Sequence, residues 1–321
     1  MAPKFERFLI KDVFSLSKVS VFNNGFGQKS LFLTEAHSVG SASANQYKPG
    51  DHLLFFNPSS KQCKQDLDGY FSYLSPVKLL KEESAEHPHF FKRRMWTQGS
   101  LEFLSPLEEL KHYNCYEKIK YVKNIGSKTF VNIERVVRES GDFIGKKHDL
   151  KEADFSVLQE QEESPGKINI KENRMLMYTN EIFEPFFSEK ENFVVTNTTM
   201  PSVSNASFVL TQKDIELYSK LTENPHKIHL DSKYCREVEG FQNVIVQGPL
   251  SVQLLLNALY SFYKSEKKKE ISTFKYKNRA PILAGTKLKI LIAEECHQIK
   301  LVNAENNCVL VDASFSLSKY V

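Results

Sequence analysis

The run from Pro249 to Tyr263 constrains the fold more than any other stretch of this chain. Leu250, Val252, Leu254, Leu255, Leu256, Ala258, Leu259, Tyr260 and Phe262 cover nearly every face of a helix. A helix that is apolar all round is buried on all sides. Gly248 precedes it and Pro249 takes its first position, where the amide that proline lacks would have no partner anyway. The run falls short of the roughly 20 residues that a bilayer span needs, so protein has to wrap it.

The wrapping follows directly in sequence. Thr273, Lys275 and Lys277 alternate with Phe274 and Tyr276. Leu288, Ile290 and Ile292 alternate with charged or small residues, and Val309, Val311, Ala313, Phe315 and Leu317 alternate with Leu310, Asp312, Ser314 and Ser316. A period of two is that of strands with one buried face. Glu305-Asn306-Asn307 supplies a turn between two of them. A buried helix wrapped by an antiparallel sheet is the hot-dog arrangement. Upstream, Asp214 to Leu221 reads as a helix with Ile215, Leu217, Tyr218 and Leu221 on one side. It must change direction near Asn224, because a residue before proline avoids the α region.

At 321 residues the chain has room for one large domain or two of ordinary size. Tyr47 to Asp51 reads as a turn feeding an apolar strand, Leu53 to Phe56. Trp96 to Leu104 reads as a strand, Phe130, Ile133, Val136 and Val137 mark another segment, and Met175 to Tyr178 is a short strand. Residues 141–173 are charged, lack apolar periodicity and contain Ser164-Pro165-Gly166, so they read as a linker or long surface loop. Leu104-Ser-Pro106-Leu107 is echoed by Arg279-Ala-Pro281-Ile282, each proline following an apolar strand. Similar halves and this echo suggest two copies of one fold. The expected divisions are an N-terminal segment 1–46, an N-terminal domain 47–185 and a C-terminal domain 186–321. The first twenty residues mix Lys4, Arg7, Lys11 and Lys18 with Phe5, Phe8, Leu9, Ile10, Val13 and Phe14. They fit either a mitochondrial targeting segment or an amphipathic first helix, with Glu6 and Asp12 against the former.

A net charge of +4 is too weak to argue for nucleic acid, but suits an anionic ligand such as a phosphopantetheine thioester. Five cysteines, at spacings that match no zinc pattern, suggest a reducing compartment rather than a disulfide framework.

Chemistry concentrates between Tyr218 and Leu250. Asn224, His226 and His229 lie close together, and Gly248 follows about twenty residues later. Adding water to an enoyl thioester, or removing it, needs a held water or hydroxyl, a proton carrier at C2 and a donor to the carbonyl. His229 suits the carrier because its ordinary pKa is near neutral. Asn224 can orient water but cannot take its proton, and His226 can do either. Gly248 can offer its N–H at a helix start. Plainer readings exist: surface histidines, a metal pair completed by Asp231, a capping Asn224, and a glycine that only starts a helix.

The stretch YSKLTENPHKIHLD followed by EGFQNVIVQGPL resembles the hydratase motif of the MaoC-like, R-specific enoyl-thioester hydratases and dehydratases. Their Asp, Asn and His stand two and then three residues apart, and a glycine follows. Onto these fall Asn224, His226, His229 and Gly248. Asn224 stands where most members carry an acid and His226 where most carry Asn. One branch shares the N-x-H-x-I-H pattern: mesaconyl-CoA-type hydratases and type 2 hydroxyacyl-thioester dehydratases. Arg93-Arg94-Met95-Trp96 through Gly99, and Glu172 to Arg174 with Tyr178, also resemble that branch.

The resemblance implies an α+β double hot-dog, two antiparallel sheets each wrapped around a central helix, as a pseudo-dimer in one chain. It implies reversible dehydration of (3R)-3-hydroxyacyl thioesters in mitochondrial fatty acid synthesis, with no metal or redox cofactor required. Catalysis would fall to His229, Asn224, His226 and Gly248. Arg93, Arg94 and Trp96 are candidate substrate-binding residues, with structural ion pairs and core packing as the plain alternatives. The expected partner is an acyl thioester on carrier protein or coenzyme A, with no nucleic acid and no stable membrane insertion. The expected assembly is a monomeric pseudo-dimer or a homodimer. The N-terminal half would shape the acyl tunnel without doing chemistry. A thioesterase of the same fold and a non-catalytic thioester-binding protein are the alternatives. The first would need a carboxylate, which the motif does not supply.

Overall fold

The computed structural model describes residues 5–31, 46–76, 91, 93–140, 153–158, 166–181, 207–266 and 269–319. Eleven strands are described: β1 (Arg7–Val13), β2 (Arg93–Phe103), β3 (His112–Ile125), β4 (Lys128–Glu139), β5 (Asp154–Leu158), β6 (Ile168–Thr179), β7 (Phe208–Val209), β8 (Lys269–Asn278), β9 (Lys287–Ala293), β10 (Gln298–Asn303) and β11 (Val309–Lys319). Three helices of ten residues or more accompany them among the described residues: α1 (Leu16–Leu31), α2 (Gln212–Leu221) and α3 (Gly248–Glu266).

All the strands pair antiparallel in one sheet of order β5-β1-β3-β4-β6-β2-β8-β11-β10-β9-β7. The halves meet where β2 pairs with β8, Gln98 opposite Lys277 and Leu101 opposite Phe274. Outward from that seam one half runs β2-β6-β4-β3-β1 and the other β8-β11-β10-β9-β7, the same order, with β5 added to the first. The Pro106 and Pro281 echo falls at equivalent places, just beyond β2 and β8. This is a double hot-dog whose two sheets are joined edge to edge.

Along β4 buried and half-buried positions alternate, the period of a strand with one face on the core. Arg135 occupies one of the buried positions. Its guanidinium meets Glu117 of β3 at 3.0 Å and Glu172 of β6 at 3.2 Å. In the C-terminal half α3 packs on β8 and β10. Leu250, Val252, Leu254, Leu255, Leu256, Ala258 and Leu259 are wholly inaccessible, and Gln253 and Asn257 on the same helix are buried with them. One hydrophobic cluster takes in Phe22 and Phe26 of α1, Tyr218 of α2, much of α3 and both parts of the sheet. α2 opens with a capping box in which Thr211 and Asp214 bond each other's backbone amides.

Four expectations change. Residues 7–13, one option for an amphipathic first helix, form β1. Phe8 and Ile10 share one face and Leu9 takes the other, yet all three are buried, and a strand covered on both faces loses the period of two. β1 and α1 both lie inside the segment 1–46 and are built into the fold. Leu53 to Phe56 is not a strand: Asp51–Leu54 is a turn of 3-10 helix entered through Gly50 at φ 103°. A short buried apolar run has no period by which to tell the two apart. The expected linker 141–173 contains β5 and the first part of β6, while its residues 141–152 and 159–165 lie outside the described residues. Among the described residues no helix is long and apolar enough to cross a membrane. All five cysteines are free thiols.

Leu255 has no exposed surface, and Leu255→Ala should cost about 2–5 kcal/mol, read by denaturant unfolding.

Candidate active site

α2 ends at Leu221, and the next residues turn back toward the seam between the halves. Asn224 N–H donates to the Ser219 carbonyl at 2.9 Å, and Asn224 Oδ1 accepts the His226 N–H at 3.1 Å. One helical turn, Lys227–Leu230, then carries His229. His226 and His229 are both buried, their rings edge to face with centroids 5.3 Å apart.

His229 Nδ1 lies 2.8 Å from the Ile245 carbonyl. A carbonyl only accepts, so the ring carries its proton on Nδ1 and keeps a lone pair on Nε2. Burial pulls His229 down to about 4, with the Ile245 carbonyl and the Asp68 carboxylate pulling weakly upward. Burial, helped by His229 and Arg94, holds His226 well below its ordinary value. Both rings are therefore neutral at physiological pH. His226 Nε2 stands 3.4 Å from Asp68 Oδ2, a distance compatible with an ion pair only if the ring were charged. Burial argues that it is not, and the geometry falls short of a hydrogen bond, leaving Nε2 buried without a partner.

Gly248 begins α3, where first-turn amides have no partner within the helix. Among the described residues its N–H donates to nothing. A Cβ at Gly248 would sit 2.9 Å from Asn278 Nδ2 and 3.4 Å from Trp96 Cβ. A side chain at this position would therefore press on Asn278 and Trp96. Asn278 Nδ2 donates to the Trp96 carbonyl at 2.7 Å, tying β8 to β2 beside that amide. The Trp96 indole N–H donates to the Tyr276 hydroxyl, and Arg174 stacks on the ring at 4.5 Å.

One cleft of about 330 Å³ brings together Asn224, His226, His229, Gly248, Arg94 and Trp96. Arg93 does not line it. Its Nε donates to Glu239 at 2.7 Å, and its other nitrogens bond the carbonyls of Glu239 and Glu181, so it braces β2 against the turn Cys235–Glu239. Arg94 lines the cleft, but its donors go to Asp68 at 2.7 Å, Asp66 at 2.6 Å and the Phe71 carbonyl at 2.9 Å. Among the described residues no cluster of His, Cys, Asp or Glu could hold a metal ion, so Asp231 does not complete one with the histidines. Asp231 instead caps the next turn through the amides of Lys233 and Tyr234.

Sequence reasoning missed Asp68, Tyr70 and Asn278, and it noted Arg174 only as part of the resembling stretch Glu172 to Arg174, without a place in the site. The one local signal for the first two was the turn-forming pair Asp68-Gly69.

The geometry is that of a neutral base and a free helix-start amide facing one cleft. The family model for hydroxyacyl-thioester dehydratase type 2 matches residues 50–284. The chain belongs to that family. It is 33% identical over 290 residues to the mitochondrial hydroxyacyl-thioester dehydratase type 2 of Saccharomyces cerevisiae, covering 89% of this chain and 88% of the relative. It is 27% identical over 256 residues to the protein of the same name from Schizosaccharomyces pombe, covering 79% and 80%. A MaoC-like dehydratase from Phytophthora capsici superposes with a TM-score of 0.59 at 14% identity, over 98% of this chain and 95% of that one, which shows a shared fold.

Two outcomes follow for this dehydratase-family chain. With His229 at about 4, activity should hold as pH falls through 6.5 and fail only on approach to 4, measured as kcat/KM against pH. Gly248→Ala should lower kcat/KM about ten- to a hundredfold in folded protein, because the added Cβ displaces Asn278 or the helix start.

Proposed function

We propose that this chain catalyses the reversible dehydration of (3R)-3-hydroxyacyl thioesters to trans-2-enoyl thioesters in mitochondrial fatty acid synthesis. Membership of the family and the mitochondrial designation of both yeast relatives support the reaction class and the location. The observation that carries the assignment of residues is the His229 ring, protonated on Nδ1 by its bond to Ile245 and so left with a basic Nε2.

In the dehydration direction His229 Nε2 takes the proton from C2. Charge develops on the thioester oxygen, where the Gly248 N–H receives it at the positive end of the α3 dipole. The C3–O bond then breaks, the C2=C3 bond forms, and His229 returns the proton to the departing hydroxyl, so that water leaves and the enzyme is unchanged. Asn224 Oδ1 is occupied by the His226 amide, which leaves its NH2 to hold that hydroxyl. Hydration runs the same steps in reverse. Lys128, Arg174 and Arg279 line the same cleft and supply positive charge for the phosphate of a pantetheine arm, whether on coenzyme A or a carrier protein. The thioesterase reading would need a carboxylate free to activate water, and the nearest one, Asp68, is engaged by Arg94. The C-terminal half supplies the proton carrier, and the N-terminal half closes the cleft over it.

Purified protein mixed with trans-2-decenoyl-CoA should consume the enoyl-thioester absorbance and yield the (3R)-hydroxy product on chiral analysis. His229→Ala should cut kcat by about a hundred- to ten-thousandfold with an unchanged circular dichroism spectrum. A parent-like rate in that variant would remove His229 from the mechanism. Thioester binding without turnover by the parent would favour a binding protein.

A further inference from the structure

We propose that Asp68, carried on a turn of the N-terminal half, is a positioning residue that completes the site by orienting His226 and stabilising His229 when it is protonated. The proposal rests on the reading of His229 given above. The carboxylate is 4% exposed. Oδ2 accepts from Arg94 Nε at 2.7 Å, and Oδ1 accepts from the Tyr70 N–H at 2.9 Å. Burying a carboxylate is costly unless charge and hydrogen bonds offset it, and here both do. The turn is tight: Gly69 N–H donates to the Asp66 carbonyl at 2.9 Å, and Asp66 N–H donates to the Tyr70 carbonyl at 2.7 Å.

This turn is built onto the histidine segment. Lys227 N–H donates to the Asp68 carbonyl at 2.9 Å, and Lys227 Nζ to the Leu67 carbonyl at 2.9 Å. Gly69 has φ 81°, and a Cβ there would stand 2.8 Å from the Pro225 carbonyl oxygen. Only glycine allows the two backbones to approach this closely. The one polar atom left unpartnered at the contact is His226 Nε2, 3.4 Å from Asp68 Oδ2. Hydrogen bonds of this kind are often long in the free enzyme and tighten around substrate. An Nε2–H that closed the 3.4 Å gap to Asp68 would fix the tautomer and ring plane of His226, whose ring lies edge to face with His229 at 5.3 Å.

The groups facing the pair are few. Asp68, Arg94, the Tyr70 ring and His229 face His226; the Ile245 carbonyl, His226 and Asp68 face His229. Asp66 and the Tyr178 ring lie behind Arg94. Asp68 is a carboxylate whose charge acts on the imidazole that accepts the C2 proton, and it arrives from the half of the chain outside the hydratase motif. It also answers the missing acid at Asn224, not as the base but as the fixed charge behind the base.

Asp68→Asn keeps the shape and leaves Arg94 its partner Asp66. In the decenoyl-CoA assay it should lower kcat about ten- to a hundredfold with KM little changed. The acidic limb of the pH–rate profile should move to lower pH, since the carboxylate raises the His229 pKa. A residue that only braced the turn would shift the unfolding midpoint and leave that limb in place. Asp68→Glu retains the charge but moves it by one methylene; it should lower kcat as well, with a smaller displacement of the limb, and serves if the Asn variant does not fold. Parent-like kcat and pH profile in either folded variant would overturn the proposal. If His229→Ala is inactive while Asp68→Asn matches the parent, the catalytic reading stands and this one falls.

Discussion

The pairing of β2 with β8 is the contact on which the site depends. It turns two sheets into one and sets Trp96 of one half against Tyr276 and Asn278 of the other. Without that register, Gly248 would lose the wall opposite its amide, and Arg94 would not reach the turn that faces His226. The α3 helix depends on the same pairing. Its surface is mostly apolar and buried, so it is stable only where sheet and neighbouring helices together enclose it. Sheet seam, buried helix and cleft are one construction.

Buried arginines hold the parts in place. Arg135 joins three neighbouring strands, Arg93 ties β2 to the turn after the histidine segment, and Arg94 ties β2 to the turn in front of it. Such pairs contribute little net stability, because desolvation offsets most of the attraction. Their worth lies in direction. A guanidinium with its donors engaged permits few arrangements of its partners, and the partner set of Arg94 borders the cleft through Phe71.

Local features were legible in the sequence, and assembled ones were not. Asn224, His226 and His229 fall within six residues and Gly248 opens a largely apolar helix, so their meeting in one cleft could be expected from chain proximity and burial. The strands β8, β9 and β11 announced themselves by alternation. β3 and β10 did not: the outer end of β3 runs through exposed lysines, and β10 mixes lysine and glutamine with its apolar residues. Arg93 and Arg94 are identical neighbours with different destinations, which only the opposite sides of a strand can decide. Asp68 could not be paired with His226 from sequence, because their contact is created by the fold of the whole chain. The Asp-Gly pair announced a turn but not what the turn would press against. The strand β1 was obscured because both its faces are covered, which erases the period that distinguishes a strand from a helix.

That strand also bears on how such a chain could be processed in the organelle where its relatives reside. β1 lies between β3 and β5, paired on both edges. A peptidase that removed the basic amphipathic stretch through Val13 would delete an interior strand and leave two facing edges with open hydrogen-bonding groups, the kind of surface that recruits other chains. The residues that look most like an address label are therefore structural timber. Any cut during maturation that preserves the fold has to spare residues 7–13.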